Sequence, residues 1–257
     1  MTSSDITVDI DAEIAVVTLN RPEKSNSITF DMLHQINEAF AAIDADDYVR
    51  VAVVTGAGTK AFCAGADLVE FIPRLTAGDF SDAVPDRTKR MLSDFSKPVI
   101  AAVNGACLAG GLELLLGTDI RIASENAVFG APEVRHGLFA GGGTHVRLTR
   151  QIPFAVAQEM LLTGRTLTAE RAREVGLVNA VVAPDELMTV ALEWAGAIRR
   201  NGPLAVRAAK EAAVTTQGLE EGFRIESLIA DRVFTSQDAS EGPRAFLEKR
   251  APQFIGK

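Results

Sequence analysis

Two runs, VRVAVVTG from Val49 and VIAAVNG from Val99, are mostly apolar with little of the alternation that a half-solvated strand shows, and DIRIAS from Asp119 reads as a further buried strand beside them. Such strands are buried on both faces, and a sheet made of them needs helices to cover it. A fourth run, EIAVVTLN from Glu13 to Asn20, stops at Arg21-Pro22, where the basic and polar loop RPEKSNS begins. The period then changes. Phe30, Leu33, Ile36, Phe40 and Ile43 recur at spacings of three and four, which predicts a helix with one face on the sheet. After Pro153 helices take over. PFAVAQEMLLTG opens on proline and closes on Gly164, Thr168 suits the N-cap of a short helix ending at Gly176, and Leu187, Ala191, Trp194 and Ile198 mark another. Segments from Leu204 and from Leu219 to Arg232 add more, so the expected class is α/β with a helical C-terminal third.

A chain of 257 residues with 47% hydrophobic residues buries a large core and fits one domain, or one domain with a small appendage. The net charge of -8 argues against a nucleic-acid surface, so an anionic ligand has to find a local basic cluster. Cys63 and Cys107 stand among small and apolar residues and read as buried free thiols of a reducing compartment. Acids occupy the N-terminal positions where a secretory signal needs positive charge, and no run of eighteen apolar residues occurs; the expected location is cytoplasmic. The Pro73 to Asp86 stretch, with its prolines, glycine and acids, is expected to be a mobile loop.

Two glycine-containing turns, FCAGADL and CLAGGLEL, each lie between a strand and a helix start. Such a turn either solves a backbone problem or offers unpaired N–H groups to an oxyanion, and two of them together would make an oxyanion hole. Glu113 sits among Leu112, Leu114, Leu115 and Leu116, where a partly desolvated carboxyl has the raised pKa that proton transfer needs, unless it merely caps the helix. Glu133, after VFGAP, either joins Glu113 as the second of an acid and base pair or pairs with Arg135. The glycines of GLFAGGGTH imply backbone held close to a ligand or another turn, or a flexible connector. His34, His136 and His145 lack metal-ligand spacing, and GAGTKA only imitates a dinucleotide fingerprint. Neither a nucleophile elbow nor a P-loop is present.

The segments FCAGADL, KPVIAAVNGACLAGGLELLLGTDIRIAS, FGAPEV, EMLLTGRTLTAERAREVGLVN and AFLEKR occur in this order, and together they resemble the enoyl-CoA hydratase/isomerase (crotonase) family over nearly the whole chain. The resemblance implies a spiral of β-β-α units over residues 1–195. It also implies a C-terminal helical region, 196–257, for oligomerisation and pocket closure, giving a homotrimer or a homohexamer formed as a dimer of trimers. It places oxyanion donors at the N–H groups of Ala66 and Gly110 and the two catalytic acids at Glu113 and Glu133. Coenzyme A contacts are implied at Lys24, Ala64, Asp67, Leu68 and Lys249.

Retention of both acids favours reversible syn addition of water to a trans-2-enoyl-CoA, with coenzyme A entering as part of the substrate and no cofactor. A Δ3,Δ2-enoyl-CoA isomerase, a non-catalytic acyl-CoA-binding protein and a nicotinamide oxidoreductase are the alternatives. The chain departs from the family pattern twice. Ala109 replaces the first glycine of a common GGG run, and the segment Gly137 to His145 is one residue short.

Overall fold

The computed structural model describes residues 4–77 and 83–257. Its strands form two sheets. The larger has the order β1-β2-β3-β5-β7-β10, with β1 at Ile6–Asp11, β2 at Ile14–Leu19, β3 at Val51–Gly56, β5 at Val99–Val103, β7 at Ile120–Ser124 and β10 at Ala180–Val182. The smaller has the order β4-β6-β8-β9, with β4 at Ala61–Cys63, β6 at Ala106–Leu108, β8 at Val128–Gly130 and β9 at Thr166–Thr168.

Chain order explains this architecture. Each central strand of the large sheet is followed by one of the small sheet, β3 by β4, β5 by β6 and β7 by β8, and each new strand pairs in parallel with its counterpart one turn earlier. The result is a spiral whose loops from successive turns emerge beside one another. β3 and β5 are buried throughout, as their unbroken apolar runs require. β1 was not legible from its surroundings: it is an edge strand, mostly solvated, joined antiparallel to β2 through Ala12 and Glu13 at φ 45 and 65°.

Asn104, at the end of β5, donates to the carbonyls of Gly56 and Gly58 and so ties one turn of the spiral to the previous one. The buried Asn26 does the same for the loop after β2. Its Nδ2 donates to the carbonyls of Ala57 and Ala61, and its Oδ1 accepts from the N–H of Arg21.

The helix Phe30–Ala45 starts where Thr29 accepts the N–H of Met32, a side-chain N-cap. Its buried face is the expected Ile36, Phe40 and Ile43, joined by Met32. Phe30 and Leu33 are half-buried at its flank, and Phe30 stacks on Phe71 with ring centroids 4.2 Å apart. The helices Phe154–Thr163 and Ala169–Glu174 lie as expected, with Gly164 and Gly176 in the left-handed region and Thr168 capping the second. The stretch expected to be a loop from Pro73 instead continues the helix Phe71–Thr76, and its residues 78–82 lie outside the described residues.

The C-terminal helices differ in how they pack. Pro203–Thr215 buries no residue, whereas Glu220–Phe234 buries Phe223, Ala230 and Phe234. The last helix, Gln237–Leu247, lies so close to the turn Pro132–His136 that a methyl at Gly242 would overlap the carbonyl of His136. No helix among the described residues is long and apolar enough to cross a membrane.

Candidate active site

A cavity of about 880 Å3 is lined by the helix Phe30–Ala45, by the turns that leave β4 and β6, and by the segment after β8. Cys63 of β4 pairs with Cys107 of β6, so the two turns leave the small sheet side by side. Gly65 takes φ +106°, and the second turn bends at Ala109, with φ 50° and ψ -121°, before the helix Gly110–Leu116. A methyl at Gly65 would lie 3.5 Å from the nitrogen of Gly110, and one at Gly110 would lie 3.6 Å from the nitrogen of Ala66. Neither the Ala66 nor the Gly110 N–H has an acceptor among the described residues. Two idle main-chain donors therefore stand together at the cavity wall, spaced by a strand pairing, where one oxygen can accept from both.

Glu113 belongs to a helix whose leucines 112, 114, 115 and 116 are all buried; its own side chain turns to the cavity. Its Oε1 accepts the N–H of Gly142 at 2.7 Å. Gly142 has to be glycine for this contact, since a methyl there would overlap the carboxylate. Glu133 enters from the 3-10 turn Pro132–His136 that follows β8, and its Oε2 is buried without any hydrogen-bond partner. A buried carboxyl oxygen left idle costs about 1–3 kcal/mol, and such a cost is commonly met where a ligand or water completes the site.

Burial pushes Glu113 up to about 7; the Gly142 N–H works against this, while the charge of Glu226 adds to it. Burial likewise pushes Glu133 up to about 8, with a further push from the Glu113 charge. The two titrate as a pair, both raised, so that protonated and ionised carboxyl are both accessible near neutral pH. Such a pair has the titration range that proton transfer near neutral pH requires.

A family model described as enoyl-CoA hydratase/isomerase matches residues 9–257. The chain belongs to this family. Enoyl-CoA hydratase EchA19 of Mycobacterium tuberculosis is 43% identical over 256 residues, covering 97% of this chain and 96% of that protein. The crotonyl-CoA hydratase of Syntrophomonas wolfei is 40% identical over 263 residues and covers all of both chains. Among solved structures, the carnitinyl-CoA hydratase of Mycobacterium avium superposes with a TM-score of 0.88 at 35% identity, covering all of both chains. The enoyl-CoA hydratase/isomerase family is enzymatic and its fold is the crotonase spiral seen here.

Of the residues singled out in the sequence, Ala64, Ala66, Leu68, Gly110, Glu113 and Glu133 all line the one cavity. Asp67, Lys24 and Lys249 are not part of its wall. Asp67 faces away: its Oδ1 accepts the N–H groups of Val69 and Glu70, and its Oδ2 lies 3.5 Å from the Arg21 guanidinium. Despite its partial burial, these partners hold its pKa below the usual carboxylate value. Lys24 is exposed at the end of the 3-10 turn Pro22–Lys24, and Lys249 is exposed just past the last helix.

GAGTKA runs from β3 into β4 rather than into a helix, so it lacks the helix N-terminus that a dinucleotide fingerprint uses. No group of histidine, cysteine, aspartate or glutamate among the described residues is arranged to hold a metal. Sequence reasoning missed the groups that support Glu113, chiefly Arg90 and Glu226. Glu226 stands at the core-facing spacing of Phe223 and Ala230, a signal that was there to be read.

Proposed function

We propose that this chain is an enoyl-CoA hydratase that adds water reversibly, with syn geometry, across a trans-2-enoyl-CoA to give a 3-hydroxyacyl-CoA. One observation carries the reading: two buried carboxyls with raised pKa values face the same cavity as two idle N–H donors. The thioester oxygen accepts from Ala66 and Gly110 as negative charge develops on it in an enolate-like transition state, each donor being worth roughly 3 kcal/mol. Glu113, ionised, takes a proton from the water that attacks Cβ. Glu133, protonated, delivers a proton to Cα, and each reverses its role in dehydration.

The reaction needs no redox group or metal, since the charge it develops is met by the main chain. Coenzyme A is bound along Ala64 and Leu68, with Lys24, Asp67 and Lys249 contributing to its nucleotide end directly or through the turns they stabilise. Residues 196–257 serve assembly into a trimer or a hexamer, which fits the unburied helix Pro203–Thr215. The protein acts in the cytoplasm on acyl-CoA metabolites.

The test mixes purified protein with trans-2-enoyl-CoA thioesters of graded chain length, follows loss of the conjugated-thioester absorbance, and weighs the product. A gain of one water, reduced roughly a hundredfold or more in Glu113→Gln and in Glu133→Gln, supports the reading. A moved double bond at unchanged mass makes the chain an isomerase.

A further inference from the structure

Glu113 is held by a single peptide group, and that peptide belongs to no helix or strand. Its N–H, that of Gly142, donates to Glu113 at 2.7 Å. Its carbonyl, that of Gly141, accepts from Arg90 Nε at 3.0 Å. The Gly141–Gly142 peptide thus lies between a cation and the carboxylate, with its dipole aligned to both.

Arg90 itself is immobilised. Its Nη2 lies 3.1 Å from Glu226, and the two side chains are 1% and 2% exposed. The same Nη2 donates to the carbonyl of Phe223 and to Ser227 Oγ, while Nη1 donates to the carbonyls of Lys89 and Arg87. Glu226 accepts the N–H of His145 with its other oxygen at 3.0 Å, which fixes the start of the helix Thr144–Gln151 immediately after the glycines. The third glycine, Gly143, has φ +102° and leaves room for the Arg90 stem, which a methyl would meet at 3.0 Å. The three consecutive glycines are therefore a backbone clamped between two side chains.

We propose that Arg90, locked by Glu226, is a positioning residue for Glu113: it holds the Gly141–Gly142 peptide by its carbonyl so that the N–H stays on the Glu113 carboxylate. This rests on Glu113 being the base of the hydratase reaction. Arg90 reaches the cavity wall, but its guanidinium is taken up by Glu226, Ser227 and main-chain carbonyls. Its effect reaches the reaction through one peptide and through charge, as burying an ion pair against a polarisable peptide strengthens that peptide as a donor.

The charged and titratable groups that act on Glu113 are Glu133, Glu226, Arg90 and His145, and Arg147 and Cys63 feel its charge. Glu226 raises the Glu113 pKa and Arg90 lowers it. Glu226→Gln removes the negative charge, so the acid limb of the kcat profile moves to lower pH, by roughly half a unit or more, and it gives up one of the two acceptors that Arg90 and the His145 N–H use, since an amide nitrogen only donates. Arg90→Met combined with Glu226→Gln removes the clamp without stranding a buried charge. It lowers kcat about tenfold or more with KM changed less than about twofold, since the polar atoms of Arg90 are already spent on protein groups. Arg90→Lys, which keeps the cation, recovers part of that loss.

The experiment measures pH profiles of kcat and KM for wild type and these three variants, with melting temperature as the control for folding. A wild type without turnover sinks the proposed reaction. A wild type that turns over, with an unshifted acid limb in Glu226→Gln, overturns the positioning role. So does a loss confined to KM in the double variant. If the double variant fails to fold, the acid limb of Glu226→Gln decides alone.

Discussion

Gly142→Ala puts a methyl group into the space of the Glu113 carboxylate. The carboxylate has to leave, and its 2.7 Å hydrogen bond to residue 142 is lost. A hydrogen bond to a charged group is worth about 1.5–3 kcal/mol, and 1.36 kcal/mol corresponds to one pKa unit. The Glu113 pKa, about 7 in the native site, therefore rises by roughly one to two units. The sign follows from what the bond stabilises: the N–H favours the ionised form, so its loss delays ionisation as pH rises. Since the base has to be ionised, activity near pH 7 falls roughly five- to fiftyfold from protonation alone, before any loss of aim. Raising the pH does not restore it, because Glu133, with a pKa of about 8, gives up the proton it is required to deliver. The assay is kcat for an enoyl-CoA between about pH 5 and pH 10, with melting temperature measured on the same samples. An acid limb where wild type has it, with kcat within about twofold, would refute the reasoning.

Other outcomes follow from the same geometry. Glu133→Gln removes the group whose ionisation shapes the alkaline side, so the residual activity, lower by roughly a hundredfold, no longer falls as pH passes about 8; a retained alkaline limb assigns it elsewhere. Ala109→Gly relieves a non-glycine residue at φ 50° and ψ -121°, a conformation costing about 1–3 kcal/mol, against about 0.4–1 kcal/mol of added unfolded-state entropy; urea unfolding should show a gain of about 1 kcal/mol, and a loss would mean that the methyl packs better than it strains. Asp67→Asn lowers the melting temperature at neutral pH while kcat stays within a few-fold. Because the folded Asp67 pKa is depressed, its contribution is present above about pH 4 and disappears as pH falls through the folded value, so the gap to wild type closes in acid; a gap independent of pH would reject the ionic clamp.

What was legible from the sequence was local. β3 and β5 announce themselves because both faces are apolar, and Glu113 because a carboxyl among four leucines has no solvated face to occupy. The strands of the small sheet are three residues each, too short to show any period, although they set the spacing of Ala66 and Gly110. The helix from Phe30 was legible with most of its face, Ile36, Phe40 and Ile43, although Met32 also points inward and Leu33 lies toward the cavity. The Arg90–Glu226 pairing was invisible for a different reason: 136 residues separate the two, and although the helical spacing of Glu226 with Phe223 and Ala230 hints at burial, nothing near Arg90 does. The glycine run after Glu133 left two readings open, and only the positions of Arg90 and Glu113 decide between them.

Both proposed oxyanion donors are main-chain groups held apart by the rungs of a β-ladder, and this sets how such a site can change. No ordinary side-chain replacement deletes either donor; only proline at Ala66 or Gly110 would do so. Each acid, in contrast, is a single codon from loss. Descendants of this chain are thus free to abandon hydration one carboxylate at a time while still recognising a thioester, so the capacity to stabilise an enolate is inherited more securely than any particular use of it.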